Sequence, residues 1–419
     1  MDAIVIEGGR SLQGTIEIGG AKNAVLPMMA ACMLVPGPVR IHNVPQLRDV
    51  TTFLALLHEM GVEGGYENHS LHLDATRMTS QEAPYDHVKK MRASIYVLGP
   101  LLARFGLARV SMPGGCAWGP RPVNLHQDAM QALGAELTLE HGYIVARADK
   151  LKGARIIFDI SSVGATGNAM MAAVLAEGTT VIENAAAEPE IQALGDFLNA
   201  LGARVTGGGT KTVTIEGVSE LTPGIDFDNI PDRIEAGTFL AAGAITGGDV
   251  TVRRVRPDHM TMVLARLERM GCRLEVGEDH IRIAPGDGPM RAVDIVTEPY
   301  PGFPTDLQAQ FMALLCLAEG AGVITETIYP DRFTHVPELR RLGAQITLSG
   351  NVATVQGVGG LQGADVMSTD IRASSALILG GLAARGRTHV SRVYHIDRGY
   401  ERIEEKMGRL GARIRRVQD

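Results

Sequence analysis

Cysteine is scarce in this chain: four in 419 residues, at positions 32, 116, 272 and 316. Their spacings match no disulfide framework and no zinc motif, which argues against a stapled secreted module and against a metal centre, and fits a reducing cytoplasm. No apolar run approaches the ~20 residues that a membrane span needs. Met1-Asp2-Ala3 leads straight into a strand pattern, so no secretory leader is expected. A long basic run is also missing, and the net charge is −7. Neither nucleic acid nor an acidic membrane surface is therefore expected as a partner. The chain has no Walker loop and no nicotinamide fingerprint, so the expected chemistry is group transfer without a bound cofactor. Tryptophan occurs once, and its place is informative. The stretch Pro113-Gly114-Gly115-Cys116-Ala117-Trp118-Gly119-Pro120-Arg121-Pro122 reads as a loop around one thiol. Its glycines leave Cys116 accessible, and Arg121 favours the thiolate.

What is abundant is repetition. A glycine mark recurs at Gly61, Gly134, Gly202, Gly271, Gly343 and Gly411, roughly 70 residues apart. A second mark precedes each one, at Gly37, Gly106, Gly178, Gly247, Gly320 and Gly386. Each copy opens with a helix that is apolar nearly all round, as over residues 23–34, and such a helix has to be enclosed. A strand follows, as over 39–44 or 180–183. Next comes an amphipathic helix, with Val50, Phe53, Leu54 and Leu57 on one face; Tyr400, Ile403, Met407 and Leu410 repeat the pattern in the last copy. Two short alternating strands finish the unit, as over 204–206 and 212–215. The fold class is therefore α/β, six copies of a strand–helix–strand–helix–strand–strand unit, with cores built on helices and sheets outside. Six copies suggest two domains of three. The clearest break lies at 221–228, giving residues 22–229 as a first domain carrying the Cys116 loop and 1–21 plus 230–419 as a second. The strands over 3–7 and 15–18 precede the first helix and are expected to complete the other domain's last sheet.

Polar residues gather where the buried helices begin: Lys22-Asn23, Arg92, Ser161-Ser162-Val163-Gly164, Asp232-Arg233, Thr305-Asp306 and Asp370-Ile371-Arg372. The second helices begin near Arg48, Arg121, Arg332 and Arg398. Helix starts carry unsatisfied N–H groups and partial positive charge. If the buried helices of a domain run the same way, their starts share a face, and two such faces opposed make a cleft that attracts anions. Asn23, Thr305, Asp306 and Asp370 also suit plain helix caps. Arg256, Arg269, Arg340 and Arg341 fall elsewhere and read as surface. Asp306 is the one carboxylate at these positions placed to act as a base, and Cys116 can serve as acid or nucleophile.

Five motifs carry a resemblance over essentially the whole chain. They are Gly19-Gly20-Ala21-Lys22-Asn23, the loop from Pro113 to Pro122, Ser162-Val163-Gly164-Ala165-Thr166, Phe303-Pro304-Thr305-Asp306-Leu307-Gln308-Ala309-Gln310, and Tyr394-His395-Ile396-Asp397-Arg398-Gly399-Tyr400. With these the chain resembles the bacterial UDP-N-acetylglucosamine 1-carboxyvinyltransferases, enolpyruvyl transferases of peptidoglycan precursor synthesis. The resemblance implies two inside-out α/β domains of three repeats each, with the active site in the cleft between them. It implies phosphoenolpyruvate and UDP-N-acetylglucosamine as ligands, no cofactor, and a cytoplasmic monomer serving cell-wall biogenesis, cell shape and division. Lys22, Arg121 and Arg398 would hold the phosphoenolpyruvate phosphate, with Asn23 nearby, and Arg332 and Arg372 its carboxylate. Arg92, Arg121, Pro122, Val123, Asn124, Leu125, Ser161, Ser162, Val163, Gly164, Asp306 and Ile328 would bind the nucleotide sugar. Asp306 would take the sugar hydroxyl proton. Cys116 would protonate the methylene carbon, carry a pyruvate adduct and be the fosfomycin target.

The chain departs from the family pattern in three respects. Asn124 stands where the family usually has Asp, Arg48 stands where Lys is expected, and Tyr96 and Ile160 stand where relatives often have other residues. Two rival readings are weaker. A shikimate-pathway enolpyruvyl transferase is expected to carry a Ser-Lys pair where this chain has Ala21-Lys22, and no cysteine loop. A non-catalytic clamp around DNA needs basic residues on every copy, and the third copy has none at this position.

Overall fold

The computed structural model describes residues 2–112 and 123–418; Cys116, Trp118, Arg121 and Pro122 lie outside the described residues. Six helices are apolar on nearly every face: Lys22–Ala31, Leu98–Phe105, Val163–Ala173, Arg233–Ile245, Gln308–Leu315 and Ser374–Ala383. With no polar stripe to turn outward, each is stable only when enclosed. In Lys22–Ala31 every residue except Asn23 is buried. Among the described residues, no helix is long and apolar enough to cross a membrane.

Among the described residues, six four-stranded sheets accompany the helices. In each, one pair of strands is parallel and the other two pairs are antiparallel. A parallel pair needs a crossover, and in four copies the buried helix supplies it, as Val163–Ala173 does between Arg155–Ile157 and Thr179–Glu183. Strands such as Thr179–Glu183 alternate exposed and buried residues, so each sheet turns one face to the helices.

The chain divides into two compact units, Gly20–Ile230 and Met1–Gly19 with Pro231–Asp419. Each has its own continuous apolar core. The opening strands join the second of these, but not as one sheet. Asp2–Glu7 lies between Arg387–Ser391 and Arg413–Gln418 in the last copy's sheet, as expected. Gln13–Glu17 instead pairs in parallel with Asp249–Arg253 of the fourth copy. In exchange, Asp226–Asp228 pairs in parallel with Pro38–His42 of the first copy. Two equivalent strands, each preceding a buried helix, have traded sheets; each ends with one inward residue, Ile16 or Phe227, between exposed neighbours, so periodicity could not tell their partners apart. The stretch 221–228 thus ends in a strand. Asn229 fastens it, with Nδ2 donating to the carbonyls of Ala21 (3.1 Å) and Asn43 (3.2 Å).

The six mark glycines adopt φ between 89° and 96°, the left-handed turn that ends each amphipathic helix. The second marks behave alike except Gly37, whose φ is ordinary. Space holds it instead: a Cβ there would stand 2.6 Å from Pro223.

Candidate active site

In the unit Gly20–Ile230, Lys22 opens its helix and is 7% exposed. A cation so placed needs a partner. Its Nζ stands 3.2 Å from Oδ2 of Asp49, itself buried in the first turn of Arg48–Glu59, where the helix favours a carboxylate. Asn23 is half-buried beside it, and Arg48 is exposed. Arg92 is half-buried and opens the 3-10 turn Arg92–Val97, which packs on the Lys22–Ala31 helix. Val123, Asn124 and Leu125 start the helix Asn124–Ala132, with Asn124 exposed and the other two half-buried. Ser161 donates to the carbonyl of Ala185 (3.4 Å), and Ser162 caps Val163–Ala173 by accepting from the N–H of Ala165 (3.3 Å). Val163 and Gly164, both half-buried, form the first turn. The four residues that depart from the family pattern all fall in this unit: Tyr96 is buried, and Arg48, Asn124 and Ile160 are exposed.

One residue that the sequence reading passed over joins these segments. His126 is buried; its N–H donates to the carbonyl of Val123 (3.1 Å), and its ring edge lies against Gly164. Burial, with Arg92 nearby, pushes the imidazole down to about 4, so the ring is neutral near pH 7.

In the other unit, three helix starts are tied by ion pairs. Arg332 is 4% exposed, with NH1 2.8 Å from Oδ1 of Asp306 and 2.9 Å from Oγ1 of Thr305, and Nε 3.5 Å from Oδ2 of Asp370. Arg372 is 2% exposed; NH2 donates to Oδ2 of Asp232 (2.8 Å) and NH1 to the carbonyl of Gly399 (2.7 Å). That last bond sets Arg372 next to the 3-10 turn Val393–Arg398, which ends on half-buried Arg398. Burial works against both guanidinium charges, but Asp306 and Asp370 around Arg332, and Asp232 beside Arg372, outweigh it and hold both firmly protonated. Burial also opposes the Asp232 carboxylate, yet Arg372 and the N–H groups of Ile234 and Glu235 keep it below the usual range. Asp370 goes the other way: burial, with Asp306 close, raises its carboxyl despite Arg332.

The basic character read from the sequence is thus internally balanced here, because a buried guanidinium without a partner is costly. Asp306 sits half-buried in the turn Thr305–Leu307 with its carboxylate on Arg332. Ile328 is placed by Glu326, a fully buried carboxylate whose Oε1 accepts from the N–H groups of Ile328 (2.9 Å) and Tyr329 (3.0 Å) and whose Oε2 accepts from Thr305 (2.9 Å). Asp49, His126 and Glu326 are the residues the sequence reading missed; each has polar neighbours in the sequence, which gave no signal that it is buried. Arg256, Arg269, Arg340 and Arg341 are exposed, as read.

Comparison with known proteins agrees with this architecture. Residues 6–407 match the family described as EPSP synthase (3-phosphoshikimate 1-carboxyvinyltransferase). Among curated proteins, the chain is 56% identical over 419 residues to the UDP-N-acetylglucosamine 1-carboxyvinyltransferase of Chlorobium phaeovibrioides, covering 99% of this chain and 98% of that one. It is 53% identical to the protein of the same name from Geobacter metallireducens, with both chains covered fully. Among solved structures, the enolpyruvyl transferase NikO from Streptomyces tendae matches at a TM-score of 0.91 and 27% identity, covering 100% of this chain and 99% of that one. EPSP synthase from Acinetobacter baumannii matches the fold at a TM-score of 0.77 and 19% identity, with both chains covered fully. Six helix-centred repeats, the two sets of helix-start residues and these matches lead to one assignment: the chain is an enzyme of the enolpyruvyl (1-carboxyvinyl) transferase family.

Proposed function

We propose that the enzyme transfers the enolpyruvyl group of phosphoenolpyruvate to the 3-hydroxyl of UDP-N-acetylglucosamine and releases phosphate, the first committed step of peptidoglycan precursor synthesis. The observation that carries this reading is identity of 51% or more, over nearly the full chain, to several relatives that bear that activity in their names. The shikimate acceptor is supported only by the broader family match and by structures at 19–20% identity.

The residues divide the work by chemistry. Lys22, Arg121 and Arg398 supply positive charge for the phosphate, with Asn23 beside Lys22, and Arg332 and Arg372 for the carboxylate. The start of the Val163–Ala173 helix, at residues 161–164, suits the diphosphate of the nucleotide sugar, because its first N–H groups point away from the helix. Arg92, Arg121, Pro122, Val123, Asn124, Leu125 and Ile328 complete that side. Asp306 accepts the proton of the sugar hydroxyl as its oxygen bonds to C2 of phosphoenolpyruvate, while Cys116 gives a proton to C3. The product of that step is a tetrahedral ketal. Loss of a proton from C3 and breakage of the C2–O bond to phosphate then restore the vinyl group. No cofactor enters the balance.

On this reading the enzyme is a cytoplasmic monomer whose activity serves wall growth, cell shape and division, and Cys116 is the sulfur that fosfomycin alkylates. The test is phosphate release with phosphoenolpyruvate and each acceptor separately. Release is expected with UDP-N-acetylglucosamine and not with shikimate 3-phosphate; the opposite pattern would overturn the assignment.

A further inference from the structure

The relevant observation is a hydrogen-bond polarity that heavy atoms alone determine. Asn168 is fully buried in the helix Val163–Ala173. Its Oδ1 accepts from the N–H of Gly99 (2.7 Å), and its Nδ2 donates to the carbonyl of Ile95 (2.8 Å). A backbone N–H can only donate and a carbonyl can only accept, so the amide cannot be flipped. Its Nδ2 carries a second hydrogen, and Nδ1 of His126 lies 3.0 Å away. That ring nitrogen must then accept, and in a neutral imidazole the proton belongs on Nε2. Space enforces the arrangement at both ends. A Cβ on Gly99 would stand 2.6 Å from Oδ1 of Asn168, and a Cβ on Gly164 would stand 3.1 Å from Nε2 and Cε1 of His126.

The consequence is an unspent donor. His126 is only 7% exposed, and its Nε2 makes no hydrogen bond with the described residues. It lies beside Gly164, in the first turn of a helix whose leading N–H groups need partners. Ser162 satisfies one of them, that of Ala165.

We propose that His126 donates through Nε2–H to the diphosphate of the nucleotide sugar, and that Asn168 is the positioning residue that fixes this tautomer. The inference rests on the acceptor assignment above and deepens it. A neutral donor suits this place. Arg92 already puts a full charge nearby, and a second cation in a buried setting would be costly. His126 adds direction without charge, and Asn168 keeps the ring from offering a lone pair to an anion.

The test is nitrogen-15 NMR of the full chain with labelled histidine, His126 being assigned by its loss in His126→Gln. The expected spectrum shows the Nε2–H tautomer in the free protein. UDP-N-acetylglucosamine and UDP are expected to shift the Nε2 signal, and uridine to leave it in place. In binding assays, His126→Phe is expected to weaken UDP-N-acetylglucosamine by about 10-fold or more, the range for a hydrogen bond to a charged group. His126→Gln, which keeps a donor, is expected to recover part of that loss. Asn168→Asp should move the ring proton to Nδ1 and lose affinity with the imidazole still present. An Nδ1–H tautomer in the unaltered protein overturns the proposal without recourse to any variant. So does a UDP-N-acetylglucosamine complex that forms and turns over with the Nε2 signal unmoved. Failure of the acceptor assignment itself looks different: the unaltered enzyme then neither binds UDP-N-acetylglucosamine nor releases phosphate with it, which removes the diphosphate donor role as well.

Discussion

Acid should weaken this fold over a defined window, and His335 is the residue through which to measure it. Its ring is fully buried, and neither nitrogen has a partner among the described residues. Burial, with Arg332 nearby, pushes the imidazole down to about 3, and His126 in the other unit is at about 4. A solvated histidine titrates near ~6.5. Below that pH the unfolded chain takes up a proton that the folded one refuses. The stability is therefore complete above about pH 6.5 and falls as pH drops, until the folded value is reached. The slope is about 1.4 kcal/mol per pH unit for each histidine, so from pH 6.5 to 5.0 His335 alone removes about 2 kcal/mol. Asp370, whose carboxyl is raised by burial, acts in the opposite sense and offsets part of the total. Comparison with a variant cancels that contribution. His335→Leu has a similar volume and no ring nitrogens. Urea unfolding at pH 7.5 and 5.0 is the assay. The unaltered protein is expected to lose about 2 kcal/mol more than the variant between the two. At pH 7.5 the variant is expected to be no less stable, since two unpaired buried polar atoms are gone. Equal losses would mean that His335 is protonated in the folded protein and would refute the reasoning.

Asp306→Asn keeps the shape of the turn and its contact with Arg332 but removes the base; turnover is expected to fall by at least ~100-fold, read as phosphate release. Asp232→Asn leaves Arg372 buried without its counter-charge, and denaturation should report a loss of about 3–5 kcal/mol. Alkylation of the native protein should modify Cys116 first and abolish turnover. Burial raises the thiols of Cys272 to about 11 and Cys316 to about 12, and raises Cys32 as well, so none of them competes near pH 7. Fosfomycin should add its mass to Cys116 and not to Cys116→Asp, with peptide mass spectrometry as the readout.

Much of the fold was legible because it is periodic. The expected helix over 23–34 is the Lys22–Ala31 helix with the 3-10 turn Cys32–Leu34, and the expected strand over 180–183 is Thr179–Glu183. The glycine marks announced six left-handed turns. What the pattern could not carry was partner choice. Gln13–Glu17 and Asp226–Asp228 each offer one inward residue between exposed ones just before a buried helix, and only tertiary pairing assigns their sheets. The helix-start residues were legible for the same reason as the helices. Their partners were not: Asp49 reads as an ordinary first-turn acid, and nothing local distinguishes Glu326 or His126 from a solvated residue. Arg332 and Arg372 read as open positive charge, because the carboxylates that balance them come from distant parts of the chain.

The exchanged strands also set a timetable for synthesis. By about residue 230 a ribosome has delivered every strand that the sheets of Gly20–Ile230 need, Asp226–Asp228 being the last. The strands made first must wait longest. Gln13–Glu17 finds its neighbour only when Asp249–Arg253 emerges, and Asp2–Glu7 only with Arg387–Ser391 and Arg413–Gln418. Pairing across nearly the whole chain is slow, and an unpaired strand is an adhesive edge in the meantime. A nascent chain of this protein therefore carries a folded middle behind two unmated leading strands. Both strands are open edges until Asp249–Arg253 emerges, and Asp2–Glu7 remains one until the last copy is made.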